Sequence, residues 1–512
     1  MIGTVRNSPV TPKRSKRDPL STAHLEKDLS GRSLRGGVVT VAAQGLKFAL
    51  RFGSTAILAR LITPEEFGLI AMTAIVTGFV GLLKDSGLTQ ATIQREQITH
   101  AQVSTLFWIN GALGMLVAGL VVALSPAIAA FYGEPRLTAI ACALAVPFLL
   151  SGFSVQHQAL LRRQMRFKAL AVIEVVSMTT GIAVAIVMGT AGFGYWSLVG
   201  QVVADAAAAA GAVWILSHWR PGLPVRKSGV RSLLRFGTDI LTFNVIHYFS
   251  RQGDNLLIGW RWGAASLGLY EKAYSLLLLP VKQINSPVTA VVVPALSRAH
   301  ADRELFRSLF LGALELVTSI SVPVIFILAL FADPIVLLWL GPRWAPVADL
   351  FRYLSLAGLL GAISNCSGWL LISTGRTQRF RNLGLTTAPL VLLTFWLALP
   401  YGAAGVAIAY SAVLVLLFPV TWIWTLHGTG IRLKDVLWTV SQPICSAAIG
   451  ALGVILLQTK GPTLEPLVGL AVGIGAFGAV YAGIYLLGFR KWRRLLKVLR
   501  EDLRLFSSQP TE

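Results

Sequence analysis

Apolar runs long enough to cross a bilayer alternate with short polar breaks along almost the whole chain. They fall at 36–62, 67–89, 103–131, 137–157, 169–190 and 195–217, then at 231–259, 267–293, 308–331, 350–372, 383–399, 404–426, 436–457 and 466–489. A helical crossing needs about 20 such residues. Runs of this length, without period-two alternation, predict helices and no sheet. The pattern therefore predicts an all-α polytopic membrane protein of fourteen transmembrane helices, six in the first half and eight in the second. The break at Tyr401–Gly405 is the least distinct, because the flanking runs almost merge.

The first run is not uniformly apolar. Gln44, Lys47 and Arg51 step by three and four, so on a helix they share one face. A lone charge at mid-membrane costs at least about 2.5–3.5 kcal/mol on insertion scales. Such a face belongs in a wet cavity or against partners inside a bundle.

That stretch returns 200 positions later. Arg51-Phe-Gly-Ser-Thr-Ala-Ile-Leu-Ala-Arg60 aligns with Arg251-Gln-Gly-Asp-Asn-Leu-Leu-Ile-Gly-Trp260. The polar face repeats as Gln44/Asn244, Lys47/His247 and Arg51/Arg251. Phe67-Gly68-Leu69 meets Leu267-Gly268-Leu269, and Lys84-Asp85-Ser86-Gly87 meets Ile284-Asn285-Ser286-Pro287. The register implies two homologous halves, each opening with a polar-faced membrane helix. Transporters are often built this way, with the site between the repeats. Gly53, Gly68, Gly253 and Gly268 recur near the same helix ends, where either flexing or close packing would need them.

Composition agrees with the pattern: 54% hydrophobic, 13% charged, mean hydropathy +0.67. The net charge of +22 does not imply nucleic acid, because basic residues of membrane proteins collect in cytosolic loops. Here they gather before the first span, in the loops after spans four, six, eight, ten and twelve, and in Arg490–Arg500. The alternate loops, Gly189–Tyr195, Pro400–Gly405 and Gln458–Pro466, are nearly uncharged. Both termini are therefore expected in the cytosol. The expected layout is a basic tail (1–35), a six-helix bundle (36–217), a cytosolic linker (218–230), a second six-helix bundle (231–426), two further helices (427–489) and a basic tail (490–512). The last of these has an amphipathic stripe and reads either as a surface helix on anionic lipid or as an ordinary solvated basic tail.

Motif chemistry is sparse. Cys142, Cys366 and Cys445 stand far apart, without CxxC, so no zinc, redox or disulfide framework is expected. Gly473-Ile-Gly475-Ala-Phe-Gly478 spells GxGxxG inside a span with no strand before it, and reads as a packing face. No Walker loop, HExxH or GxSxG occurs, so no enzyme and no ATP site is expected. Asn365-Cys-Ser367 spells a glycosylation sequon, but lies within a span.

The chemistry lies in the intramembrane charges. The bases Lys47, Arg51, Arg251, Lys272 and Lys282 fall on the opening helices of each half. With Gln44, Asn244 and His247 they form a candidate cationic cavity for an anionic head group. Arg suits phosphate through its planar fork, and Lys adds a point charge. Alternatively these bases are internal ion pairs: Arg251 with Asp254 or Glu271, Lys47 with Glu174. Glu174, Asp239 and Asp254 are candidate acids for Na⁺ or H⁺ coupling.

Leu58-Ala-Arg60-Leu-Ile-Thr-Pro64-Glu-Glu-Phe67-Gly68 resembles the first-loop signature of the polysaccharide-transport branch of the MOP superfamily, the Wzx-type oligosaccharide flippases. Gly341-Pro342-Arg343-Trp344-Ala345-Pro346, the following Leu350-Phe-Arg352, and Ser373-Thr-Gly375-Arg376-Thr resemble its second-half signatures. The resemblance covers about 36–490. It implies two six-helix bundles in a V plus two C-terminal helices. It also implies a bacterial inner-membrane flippase for polyprenyl-diphosphate-linked glycan, serving lipopolysaccharide or exopolysaccharide synthesis. Its implied partners are membrane lipids and polysaccharide polymerase or assembly proteins.

Three alternatives stay open. A MATE-type multidrug exporter would want an acidic cavity and usually twelve helices. A lipid II flippase would be equally cationic and differ only in loop signatures. A glycan polymerase would need a large outer loop, whereas Ala332–Leu350 is short and apolar.

Overall fold

The computed structural model describes residues 29–82, 92–93, 98–225, 231–460 and 465–489; within these, the side chains of 29–38, 82, 231–247, 249–251, 279–282, 377, 460 and 466 are not described. All secondary structure among the described residues is helical. The principal helices are α1 (Leu29–Leu61), α2 (Pro64–Leu82), α3 (His100–Tyr132), α4 (Arg136–Gly152), α5 (Val155–Arg163), α6 (Phe167–Thr190), α7 (Trp196–Ser217) and α8 (Arg231–Arg298). Then follow α9 (Arg303–Leu330), α10 (Ala332–Trp339), α11 (Pro346–Ser373), α12 (Thr377–Ala398), α13 (Gly402–Leu426), α14 (Leu433–Lys460) and α15 (Pro466–Gly483). Among them, eight spans are long and apolar enough to cross a membrane, or up to ten if two bent pairs each count as one.

The pattern misplaced several boundaries, each for a local reason. Helix α1 is described from Leu29 onward, so helix already runs inside the expected polar tail. The fourth run breaks between α4 and α5 with a 42° bend. The two runs at 231–259 and 267–293 are joined in α8, which is broken at Gly263, where φ is 79° and ψ −177°. A left-handed φ of this kind suits glycine, which has no Cβ to clash. The ambiguous break at 401 is a 3₁₀ turn, Leu399–Tyr401, closed by Gly402 at φ 77°.

By contacts the chain forms two compact units: Met1–Leu58 with Val76–Val245, and Ala59–Ile75 with Ile246–Glu512. In the first, α3 packs on α4 and α6 on α7. Small residues let these backbones approach: a Cβ on Gly114 would lie 2.9 Å from Gly152 Cα, and one on Gly181 would lie 2.7 Å from the Gln201 carbonyl. One end of this unit is closed by aromatics around Phe107. His157 and Trp219 there are buried, and His157 Nδ1 lies 2.8 Å from Ser217 Oγ. The chain leaving α7 straps back onto α3. Ser104 Oγ accepts from Gly222 N at 2.9 Å, Thr105 Oγ1 accepts from Val225 N at 3.0 Å, and Trp108 Nε1 donates to Gly222 O at 2.9 Å.

In the second unit, α11 packs on α13 and α9 on α14, with α15 laid against α14. Its core includes Phe310, Cys366, Trp369, Trp422 and Phe477. Tyr481 donates to Ser319 O at 2.7 Å and Tyr485 to Glu315 Oε1 at 3.1 Å, tying α15 and its terminal π turn to α9. Of the GxGxxG glycines, Gly473 is a packing position: a Cβ there would lie 2.6 Å from the Phe331 ring. Gly475 and Gly478 face open space.

Candidate functional site

The polar face of α1 lies in the first unit. Lys47 Nζ reaches Glu174 Oε2 on α6 at 2.7 Å, so here the ion-pair alternative describes the geometry. The pair is half-open, with side chains 20% and 43% exposed. Gln44 and Arg51 are exposed. The Arg51 carbonyl accepts from Ser54 Oγ at 3.1 Å and Thr55 Oγ1 at 2.7 Å. Those bonds engage only its backbone. Among the described residues, no acid pairs with its guanidinium, unlike Lys47.

The corresponding face of the second half cannot be compared side chain by side chain. Asn244, His247 and Arg251, with Lys282 and Asp239, lie outside the described side chains. Asp254 is described and buried. Its Oδ2 accepts from the Tyr270 hydroxyl at 2.9 Å and its Oδ1 from Asn255 N at 2.8 Å. Asn255 Nδ2 in turn donates to Gln252 Oε1 at 2.9 Å. The sequence pattern missed Tyr270: it lies 16 positions beyond Asp254, past the Gly263 break, and only the fold joins them.

Lys272 sits elsewhere in this unit, with its ammonium 3.9 Å from the centroid of the Phe67 ring. Phe67 opens α2, and local chemistry fixes it there. Thr63 caps the helix, Pro64 follows at the first helical position, and Glu66 reaches back: Glu66 Oε2 accepts from Thr63 N at 2.8 Å and from Thr63 Oγ1 at 2.9 Å. This is a capping box with proline where its missing N–H costs nothing. The Thr-Pro-Glu-Glu-Phe-Gly stretch is thus a helix-start signal with a packing residue behind it.

The packing residue is Gly68. A Cβ on Gly68 would stand 1.8 Å from the Ala264 carbonyl oxygen, and one on Gly268 would stand 1.9 Å from the Pro64 carbonyl oxygen. Positions 64 and 68 therefore cross their own repeats, 264 and 268. Trp344 covers the same turn. Its Nε1 donates to Ala59 O at 2.8 Å, and its ring meets Phe67 edge-on at 5.3 Å. Arg60 Nη2 donates to Leu338 O at 2.9 Å. So two loop signatures far apart in sequence, 58–68 and 341–346, form one contact. No group of His, Cys, Asp and Glu among the described residues is arranged to hold a metal ion.

Residues 57–349 match the family described as polysaccharide biosynthesis protein. The chain belongs to that family. Its relatives include the teichuronic acid biosynthesis protein TuaB of Bacillus subtilis (strain 168), 27% identical over 434 residues, covering 83% of this chain and 89% of that one. The lipopolysaccharide biosynthesis protein WzxC of Escherichia coli (strain K12) is 27% identical over 359 residues, covering 69% and 71%. The succinoglycan biosynthesis transport protein ExoT of Rhizobium meliloti (strain 1021) is 27% identical over 478 residues, covering 88% and 92%.

Among solved structures, lipid II flippase MurJ in an inward closed conformation matches with TM-score 0.70 at 14% identity, covering 88% of this chain and 99% of that one. An inward-facing multidrug resistance MATE family transporter of the MOP superfamily matches with TM-score 0.60 at 14% identity, covering 75% and 94%. At such identity the likeness shows the fold alone. The family member is a multi-pass helical membrane protein with the MOP fold.

Proposed function

We propose that this chain is a flippase that carries polyprenyl-diphosphate-linked oligosaccharide units across a bacterial inner membrane. The observation that carries the reading is the family match over 57–349, which takes in parts of both halves. The exposed Arg51 on the polar face of α1 supports it chemically. A diphosphate-sugar cannot cross hydrocarbon unaided, because each unpaired polar group there costs several kcal/mol. A wet cationic face removes that cost while the prenyl tail stays in lipid. In this reading fourteen spans form two bundles that alternate access, both termini are cytosolic, and the chain is not an enzyme. An acid such as Asp254 or Asp239 serves Na⁺ or H⁺ coupling. Polymerase or assembly proteins take the unit onward.

The test is the sidedness of lipid-linked oligosaccharide in cells lacking the gene, and in cells carrying Arg51→Ala with Arg251→Ala at normal protein level. Expected is accumulation on the cytosolic leaflet with less surface polymer in both. Unchanged sidedness on deletion overturns the flippase reading. Unchanged sidedness in the double variant alone removes these arginines from it. The lipid II flippase reading shares the fold, but the names of the relatives favour surface polysaccharide.

A further inference from the structure

Lys272 is a charged side chain in a membrane span, yet among the described residues no carboxylate pairs with it. The adjacent Glu271 acts on it electrostatically, but neighbours at i and i+1 on a helix do not face each other, and the two form no bonded pair. The ammonium instead lies over the Phe67 ring at 3.9 Å. A ring face attracts a cation through its quadrupole, but an oxyanion does so through full charge and shorter hydrogen bonds. Phe67 therefore occupies the place of a stronger partner.

Phe67 is not a free ring. It belongs to Ala59–Ile75, a piece of the first half whose contacts lie in the second unit. That piece is held at three other points: the Gly68/Gly268 crossing, the Trp344 bond to Ala59 O and the Arg60 bond to Leu338 O. None of these involves a charge pair. Of the cations Arg60 and Lys272, Arg60 already donates to a backbone carbonyl, whereas Lys272 faces only a ring and is the one that a ligand can compete for.

We propose that Lys272 is a latched anion site: in this state Phe67 stands in for the ligand, and a diphosphate group takes Lys272 and releases Ala59–Ile75. The assignment of diphosphate rests on the flippase reading above; the competition between ring and oxyanion does not. Uronate carboxylates on a glycan share the anionic chemistry, so the test carries both probes.

The experiment uses the full chain in detergent with Ile62→Cys as reporter, after Cys142→Ala, Cys366→Ala and Cys445→Ala. Ile62 is fully buried beside the turn, so its thiol reacts with a maleimide only when the segment lifts. Inorganic diphosphate should speed labelling several-fold, and glucuronate should not. Phe67→Leu should raise basal labelling about tenfold and lower the diphosphate concentration for half-effect by a similar factor, because the ring no longer competes. Lys272→Gln should raise basal labelling but abolish the diphosphate response.

A diphosphate response that persists in Lys272→Gln overturns the site. So does a half-effect concentration unmoved by Phe67→Leu, which is what a merely structural clasp would give. A response to glucuronate alone overturns the diphosphate assignment. Should the cysteine-free chain not fold, thermal unfolding of the otherwise native protein reads the same question. Diphosphate should then shift its midpoint, and shift it less in Lys272→Gln; equal shifts overturn the site. Labelling without effect in a chain whose deletion blocks translocation would sink the latch and leave the flippase. The opposite pair of results would do the reverse.

Discussion

At the scale of single residues, the charges inside this membrane protein divide by partner. Lys47 has an acid at 2.7 Å, Asp254 has a phenol and a backbone N–H, and Lys272 has an aromatic face. Each arrangement offsets part of the cost of a charge or polar group away from water. The Lys47–Glu174 pair gives the cleanest test of structure against binding. If it is a structural pair, the exchange Lys47→Glu with Glu174→Lys restores most of what either single change removes. A double-mutant cycle on thermal unfolding should then show coupling on the order of 1 kcal/mol, the half-open geometry holding it down. If Lys47 holds substrate directly, the exchange restores stability but not transport.

At the scale of elements, glycine placement separates packing from flexing. The four repeated glycines look alike in sequence, but they do not share an environment. Gly68 and Gly268 meet backbone oxygens, a Cβ on Gly253 would meet Leu392 Cδ2 at 2.2 Å, and nothing lies within 4 Å of Gly53. Gly68→Ala should therefore lower stability by about 1–3 kcal/mol or more, since a backbone oxygen cannot swing aside as a side chain can. Gly53→Ala should be neutral or mildly stabilising, as alanine favours a helix. Thermal unfolding in one detergent compares the two. Equal effects would show that the α2 start does not depend on the close crossing.

At the scale of the whole molecule, the halves read from the repeat and the units formed by contact are not the same objects. The sequence halves divide at the linker, whereas Ala59–Ile75 belongs by contact with Ile246–Glu512. A chain cut within 226–230 and expressed as two pieces should therefore co-purify, since Ile62, Leu69 and Met72 of the first piece are buried. Substituting Trp344→Ala should weaken that association, because its ring and its bond to Ala59 O are both lost. Pieces that separate freely would show that the segment is held only by continuity of the chain.

Hydropathy patterning alone determined that this is a helical membrane protein, because spans are local patterns that need no partner to be read. It also identified Lys47 with Glu174 as one of two arrangements, since an intramembrane base needs either water or an acid. The loop signatures were legible as strings, but not their purpose. The Thr63–Glu66 cap on α2 is local, but that Gly68 crosses Gly268 and that Phe67 covers Lys272 depend on residues about 200 positions apart meeting at atomic distances. Hydropathy is blind to such contacts because it records how much each residue avoids water, not what it touches when it does. The break at Gly263 and the Tyr270–Asp254 bond stayed hidden for the same reason. Only the tertiary structure decides which neighbour satisfies a buried group, and that choice separates a structural charge from one held ready for a ligand.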